Sequence, residues 1–64
     1  MKVYICEDMV RIIDAPPGLI LLDNNQLICK SEYVVDGNCE CIIVASGEYY
    51  CGGNEKMGQP VMVQ

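Results

Sequence analysis

Histidine, tryptophan, phenylalanine and threonine are all absent from this 64-residue chain, and lysine and arginine together number only four. Without histidine there is neither an imidazole base titrating near neutrality nor an imidazole metal ligand. The four cations, Lys2, Arg11, Lys30 and Lys56, are scattered singly. No basic patch is available to neutralise a phosphate backbone, so direct nucleic-acid binding is not expected. No apolar run approaches the roughly 18 residues of a membrane span, and no membrane association is expected. The short apolar run at Met1–Cys6 is interrupted by Glu7-Asp8 before it can serve as the core of a secretory signal, which points to a cytoplasmic protein.

The parts of a catalytic site are missing too. Gly52-Gly53 is followed by neither the lysine nor the helix of a phosphate loop. Ser31 and Ser46 have no recognisable base, and Ser46 is explained by a turn. Glu32 and Glu40 can do acid–base work only inside a cleft, which a chain this short has little volume to build. The expectation is a protein that is not an enzyme and carries no cofactor.

What is present is branched and apolar. Seven Val and seven Ile stand against four Leu and two Ala, and 52% of the residues are hydrophobic. Side chains branched at Cβ suit a pleated surface, whereas Ala and Leu favour helix. Residues 1–64 read as a single domain, near the size at which burial and lost chain entropy nearly cancel. Dense punctuation cuts the chain into strands at Lys2–Cys6, Met9–Ile13, Leu19–Asp23, Gln26–Val35, Cys39–Ala45, Glu48–Cys51 and Pro60–Gln64. Met9–Ile13 also fits one helical turn, which Pro16-Pro17 leaves little room to extend. The fold class expected is all-β: a small antiparallel barrel or compact sandwich of six to seven short strands joined by hairpins.

Hairpin chemistry suggests a register. A two-residue turn at Asn24-Asn25 places Leu22 opposite Leu27 and Ile20 opposite Cys29. A three-residue loop at Asp36-Gly37-Asn38 pairs Val35 with Cys39 and Tyr33 with Cys41, whereas a two-residue turn there sets Glu40 opposite Tyr33 on the core side. The odd positions Leu27, Cys29, Ser31, Tyr33, Val35, Cys39, Cys41, Ile43 and Ala45 then form the core face. A turn at Ser46-Gly47 pairs Tyr50 with Ile43, making Tyr50 a core residue and Tyr49 a surface one. The outward face carries Leu21, Ile28, Val34, Ile42, Val44 and Tyr49 beside Glu32 and Glu40. Either the terminal strands fold over this face and close a barrel, or part of it meets another chain.

Five cysteines, an odd number, with no export signal suggest reduced thiols. Cys39 and Cys41 sit at i and i+2 in a strand, not in the Cys-x₂-Cys knuckle that usually grips zinc. The cluster reads as apolar packing and no metal is expected; a zinc-stapled module is the alternative.

Nine carboxylates give a net charge of −5. An acidic, partly apolar surface suits a larger basic protein, including one whose own ligand is nucleic acid. The function expected is a non-enzymatic acidic protein-binding module, an inhibitor or modulator that occupies such a basic site. Glu32, Glu40 and Glu48 would supply charge, and Tyr49, Val34 and Ile42 the apolar anchor. In size and charge the chain resembles the small inhibitors that bacterial viruses encode, although no motif identifies a family. The competing expectation is self-association into a homo-oligomer with a small-ligand site between subunits.

Overall fold

The Val- and Ile-rich runs do pair as strands. In the computed structural model of the protein, which describes residues 2–63, they are β1 (Val3–Ile5), β2 (Val10–Arg11), β3 (Gly18–Leu22), β4 (Leu27–Val35), β5 (Asn38–Ile43) and β6 (Met57–Val63). Every pairing is antiparallel, in the order β1-β6-β3-β4-β5, with β2 also on β6. The all-β expectation holds. The barrel does not: the order is linear, the six-stranded sheet stays open, and the terminal strands enter it instead of folding over one face. The last strand begins three residues earlier than expected, at Met57, and Gln64, its expected end, lies outside the described residues.

Pro60 therefore sits inside β6, between β3 and β1, although proline lacks the donor an interior strand position uses. The side it faces resolves this. The Cys6 N–H donates to the Pro60 carbonyl at 2.9 Å, so the missing N–H points toward the β1 side and no bond to β3 is lost. The Cys6 carbonyl, which an N–H at residue 60 would otherwise reach, accepts instead from the Gln59 side-chain amide at 3.1 Å. A side chain completes the ladder where proline interrupts it.

Only the first half of Met9–Ile13 is extended. Ile12–Asp14 turn as a short 3₁₀ helix, and the Ala15 N–H donates back to Ile12 and Arg11 carbonyls. This segment lays Ile12 and Ala15 on one face of the sheet, where they close the core with Ile20, Leu22, Ile28, Cys39 and Cys41; Val10, Ile43 and Tyr50 pack at its margin. Lys30 pins the lid: its Nζ donates to the carbonyls of Ile12 at 2.7 Å and Ala15 at 2.6 Å.

The β3–β4 register departs from expectation by one residue. The Leu22 N–H donates to the Gln26 carbonyl at 2.9 Å, and Leu21 faces Leu27, so the loop holds Asp23, Asn24 and Asn25. Only Asn25 takes a left-handed φ, at 65°. The slip exchanges the faces of β4. Ile28, expected outside, is fully buried, while Cys29, Tyr33 and Val35, expected in the core, are exposed.

Candidate functional site

The strands β4 and β5 form an arm, and two local devices shape it. At the tip, Asp36 and Gly37 have φ of 53° and 79° and join Val35 directly to Asn38, the two-residue hairpin geometry set aside on the sequence. Lower down, the register shifts between Lys30, opposite Cys41, and Val34, opposite Cys39, so that only Glu40 faces Ser31, Glu32 and Tyr33. This is a bulge, and Ser31 builds it: its hydroxyl accepts the Tyr33 N–H at 3.0 Å, a local bond that competes with the ladder. A shift of two exchanges no face: the two-residue turn pairs the inward even positions of β4 with the odd positions of β5, so Cys39 and Cys41 are core residues as expected.

The chain then returns beside β5. The Ser46 hydroxyl accepts the Glu48 N–H, the Ile43 N–H donates to Glu48 at 2.8 Å, and the Tyr50 N–H donates to Cys41 at 2.8 Å. Tyr49 lies opposite Ile42 and not, as expected, opposite Val44, while Tyr50 lies opposite Cys41 instead of Ile43. Tyr50 is half-buried against the core and Tyr49 is 49% exposed. Asn54 fastens this return to the arm: its Oδ1 accepts the Cys39 N–H and its Nδ2 donates to the Gly37 carbonyl, both at 2.8 Å.

The pairing aligns Leu19, Cys29, Ile42 and Tyr49 across the uncovered face of the sheet, with Leu27 bonded to Val44 in the next row. Of the six residues expected at a partner surface, Ile42 and Tyr49 stand together, Glu40 lies two residues from Ile42 on the same strand face, and Glu48 adjoins Tyr49. Glu32 sits in the bulge opposite Glu40. Val34 is placed apart, opposite Cys39 near the tip, and is 59% exposed. Tyr33, Val35 and Asp36 join the exposed tip, and the reading of the sequence missed them because the register expected there put Tyr33 and Val35 inside.

The charges are segregated. Arg11 pairs with Asp14 at 2.7 Å and Glu55 at 3.2 Å, and Lys56 pairs with Asp23 at 3.3 Å. Lys30 is held by backbone carbonyls. Six of the nine carboxylates have no ion-pair partner among the described residues, and four of these, Glu32, Asp36, Glu40 and Glu48, lie on the arm and its return. None of them is buried. Such a concentration of unpaired like charge on one part of the surface favours the approach of a cationic partner.

The thiols do not converge. Among the described residues no three His, Cys, Asp or Glu side chains form a metal-binding group. Cys29 lies on the opposite face from Cys39 and Cys41, and Cys51 is exposed. An open-sided cavity of ≈ 190 Å³ lies beneath the arm, lined by Ile12, Cys39, Cys41, Tyr50 and Asn54 among others. Burial, reinforced by the neighbouring Cys39 and opposed by Lys30, raises the Cys41 pKa. The thiol therefore stays protonated and is a poor nucleophile. The folded chain binds that proton more tightly than the unfolded chain, so stability declines as pH rises through and beyond the ordinary thiol range.

This arrangement sets an order of thiol labelling. Iodoacetamide at mildly alkaline pH is expected to modify Cys29 and Cys51 first, with Cys39 and Cys41 at least about tenfold slower and reacting through unfolding. Peptide mass spectrometry over a time course reads the order; protection of Cys29 alongside Cys39 and Cys41 would restore the register expected from the sequence. Comparison with known proteins finds no matching family model, no matching curated protein and no matching solved structure.

Proposed function

We propose that this chain is a non-enzymatic protein-binding module whose β4–β5 arm engages a basic site on a larger protein, in the manner of an inhibitor of a nucleic-acid-binding protein. The observation that carries the reading is the segregation of unpaired carboxylates. Glu32, Asp36, Glu40 and Glu48 surround exposed apolar side chains, while three of the four cations are engaged elsewhere. Tyr49 and Ile42, opposite each other, supply a rigid amphipathic anchor; near the tip Tyr33 and Val35, two residues apart, supply another, with Val34 exposed on the other face. The carboxylates steer the encounter and select a cationic groove; the aromatic rings then exclude water.

The test uses the intact chain against a panel of purified nucleic-acid polymerases, nucleases and helicases, read by biolayer interferometry. At least one member is expected to bind and to be displaced by duplex DNA. The variant E32Q/D36N/E40Q/E48Q is expected to bind that member at least about tenfold more weakly, mostly through a slower on-rate, with the difference shrinking in high salt. No binding by any member, or binding that ignores the four neutralisations, overturns the proposal.

A further inference from the structure

β1 is an edge strand whose free side is both apolar and self-complementary. Val3, Tyr4 and Ile5 are 61%, 45% and 46% exposed. The bond from the Cys6 N–H to the Pro60 carbonyl fixes which backbone groups face β6. Cys6 and Tyr4 point inward to that ladder, so the N–H and C=O of Val3 and Ile5 point away from it. Among the described residues nothing pairs with them. Two apolar residues offering four free backbone groups on an open edge form a template for another strand.

We infer that this edge pairs with the same edge of a second copy, through a two-fold axis at Tyr4. That register sets Val3 of each chain opposite Ile5 of the other. All four outward groups of each chain then find partners, because Val3 and Ile5 form hydrogen-bonded pairs on both sides of the axis. The two Tyr4 residues meet at the close-approach position on the axis, where aromatic pairs stabilise a ladder. Charge selects the direction. Lys2 precedes the strand and Glu7-Asp8 follow it, so antiparallel pairing brings the cation of each chain beside the carboxylates of the other. A parallel pairing sets like against like.

The geometry also limits the length of this edge. Beyond Cys6 the edge breaks: β1 pairs with β6 in one register and β2 in another, offset by two residues. Glu7 and Asp8 lie in the bend between them. The opposite edge, β5, is flanked by the return through Tyr49. Pairing of β1 with its own copy uses the same edge of both chains, so this contact closes on itself. The two acidic arms end at opposite extremes of the joined sheet, since β1 and β5 are its two edges. The dimer stands whether or not the arm binds the partner proposed above.

Sedimentation equilibrium of the full chain at concentrations up to about 1 mM tests it, because an edge of three residues is a small interface. A mass moving toward twice 7.1 kDa is expected. Y4K, which places two ammonium groups at the axis, is expected to weaken association about tenfold or more with an unchanged circular dichroism spectrum. Chemically synthesised chain N-methylated at Ile5 removes an outward donor without touching the β6 ladder, and it decides the matter if Y4K fails to fold. K2E should weaken association and K2E/E7K/D8K should restore it. A mass that stays at 7.1 kDa throughout, or a dimer indifferent to Ile5 methylation, overturns the inference.

Discussion

Alanine in place of Gly58 is expected to lower the melting temperature by roughly 10–20 °C, from about 2–3 kcal/mol of overpacking in a domain this small. Gly58 stands where three strands meet, opposite Val10 of β2 and Leu22 of β3. A Cβ there would lie 2.5 Å from Ile20 Cγ2, 3.1 Å from Leu22 Cδ2 and 3.2 Å from the Leu21 carbonyl oxygen. Ile20 and Leu22 are buried core residues with little freedom to withdraw, and the oxygen belongs to the ladder. Gly47 provides the control. Its φ of 75° strains any other residue, yet a Cβ there meets open space. G47A is expected to cost about 1 kcal/mol, well below G58A. Thermal melts of both variants separate crowding from backbone strain, and equal losses would mean that β6 can move off β3.

Gly58 also shows what the sequence concealed. Beside Gly52-Gly53 and the polar run to Gln59 it reads as linker, and Pro60 as the start of a strand. Both are interior to β6, because the glycine admits close packing and the Gln59 amide stands in for the proline's missing donor. The strand content was legible because branched residues state it directly. Register was not. Asn24-Asn25 tolerates a two- or a three-residue loop, and one bond, from Leu22 to Gln26, decides that Ile28 and not Cys29 faces inward. Two departures compensated. The β3–β4 slip turned the even positions of β4 inward, and the tight Asp36-Gly37 turn, one residue shorter than expected, paired those even positions with the odd ones of β5, leaving Cys39 and Cys41 inside as expected; the Ser31 bulge moves the register by two and exchanges no face. Ser31 was the available signal, since a hydroxyl two residues before an N–H in a strand competes for it. The six expected surface residues are all unburied, but their grouping needed the register: Ile42 with Tyr49, Glu32 across from Glu40, and Val34 apart.

Loss of the Lys30 ammonium is expected to be about as damaging as crowding at Gly58. Lysine in a strand reads as a solvated charge, and here it is a clasp. β4 turns Lys30 to the core side, directly opposite Cys41, and its Nζ reaches the carbonyls of Ile12 at 2.7 Å, Ala15 at 2.6 Å and Ile13 at 3.3 Å. Those carbonyls belong to the 3₁₀ segment and its end, where backbone acceptors gather without helical donors. One cation therefore holds the segment that seats Ile12 and Ala15 over the sheet. K30M keeps much of the apolar stem and removes only the charge. It leaves the Ala15 carbonyl without this donor and is expected to cost about 2–3 kcal/mol, the range for hydrogen bonds to a charged group. The damage should be local first. Ile12 unseats, the cavity beside Cys39 and Cys41 opens, and iodoacetamide reaches those thiols faster while the strand signal in circular dichroism persists. A melt and a labelling course on K30M, with K30R as the charge-retaining comparison, check both parts. An unchanged melt with Cys41 still protected would show that apolar contact alone seats Ile12, and that the three carbonyls are served equally well by water.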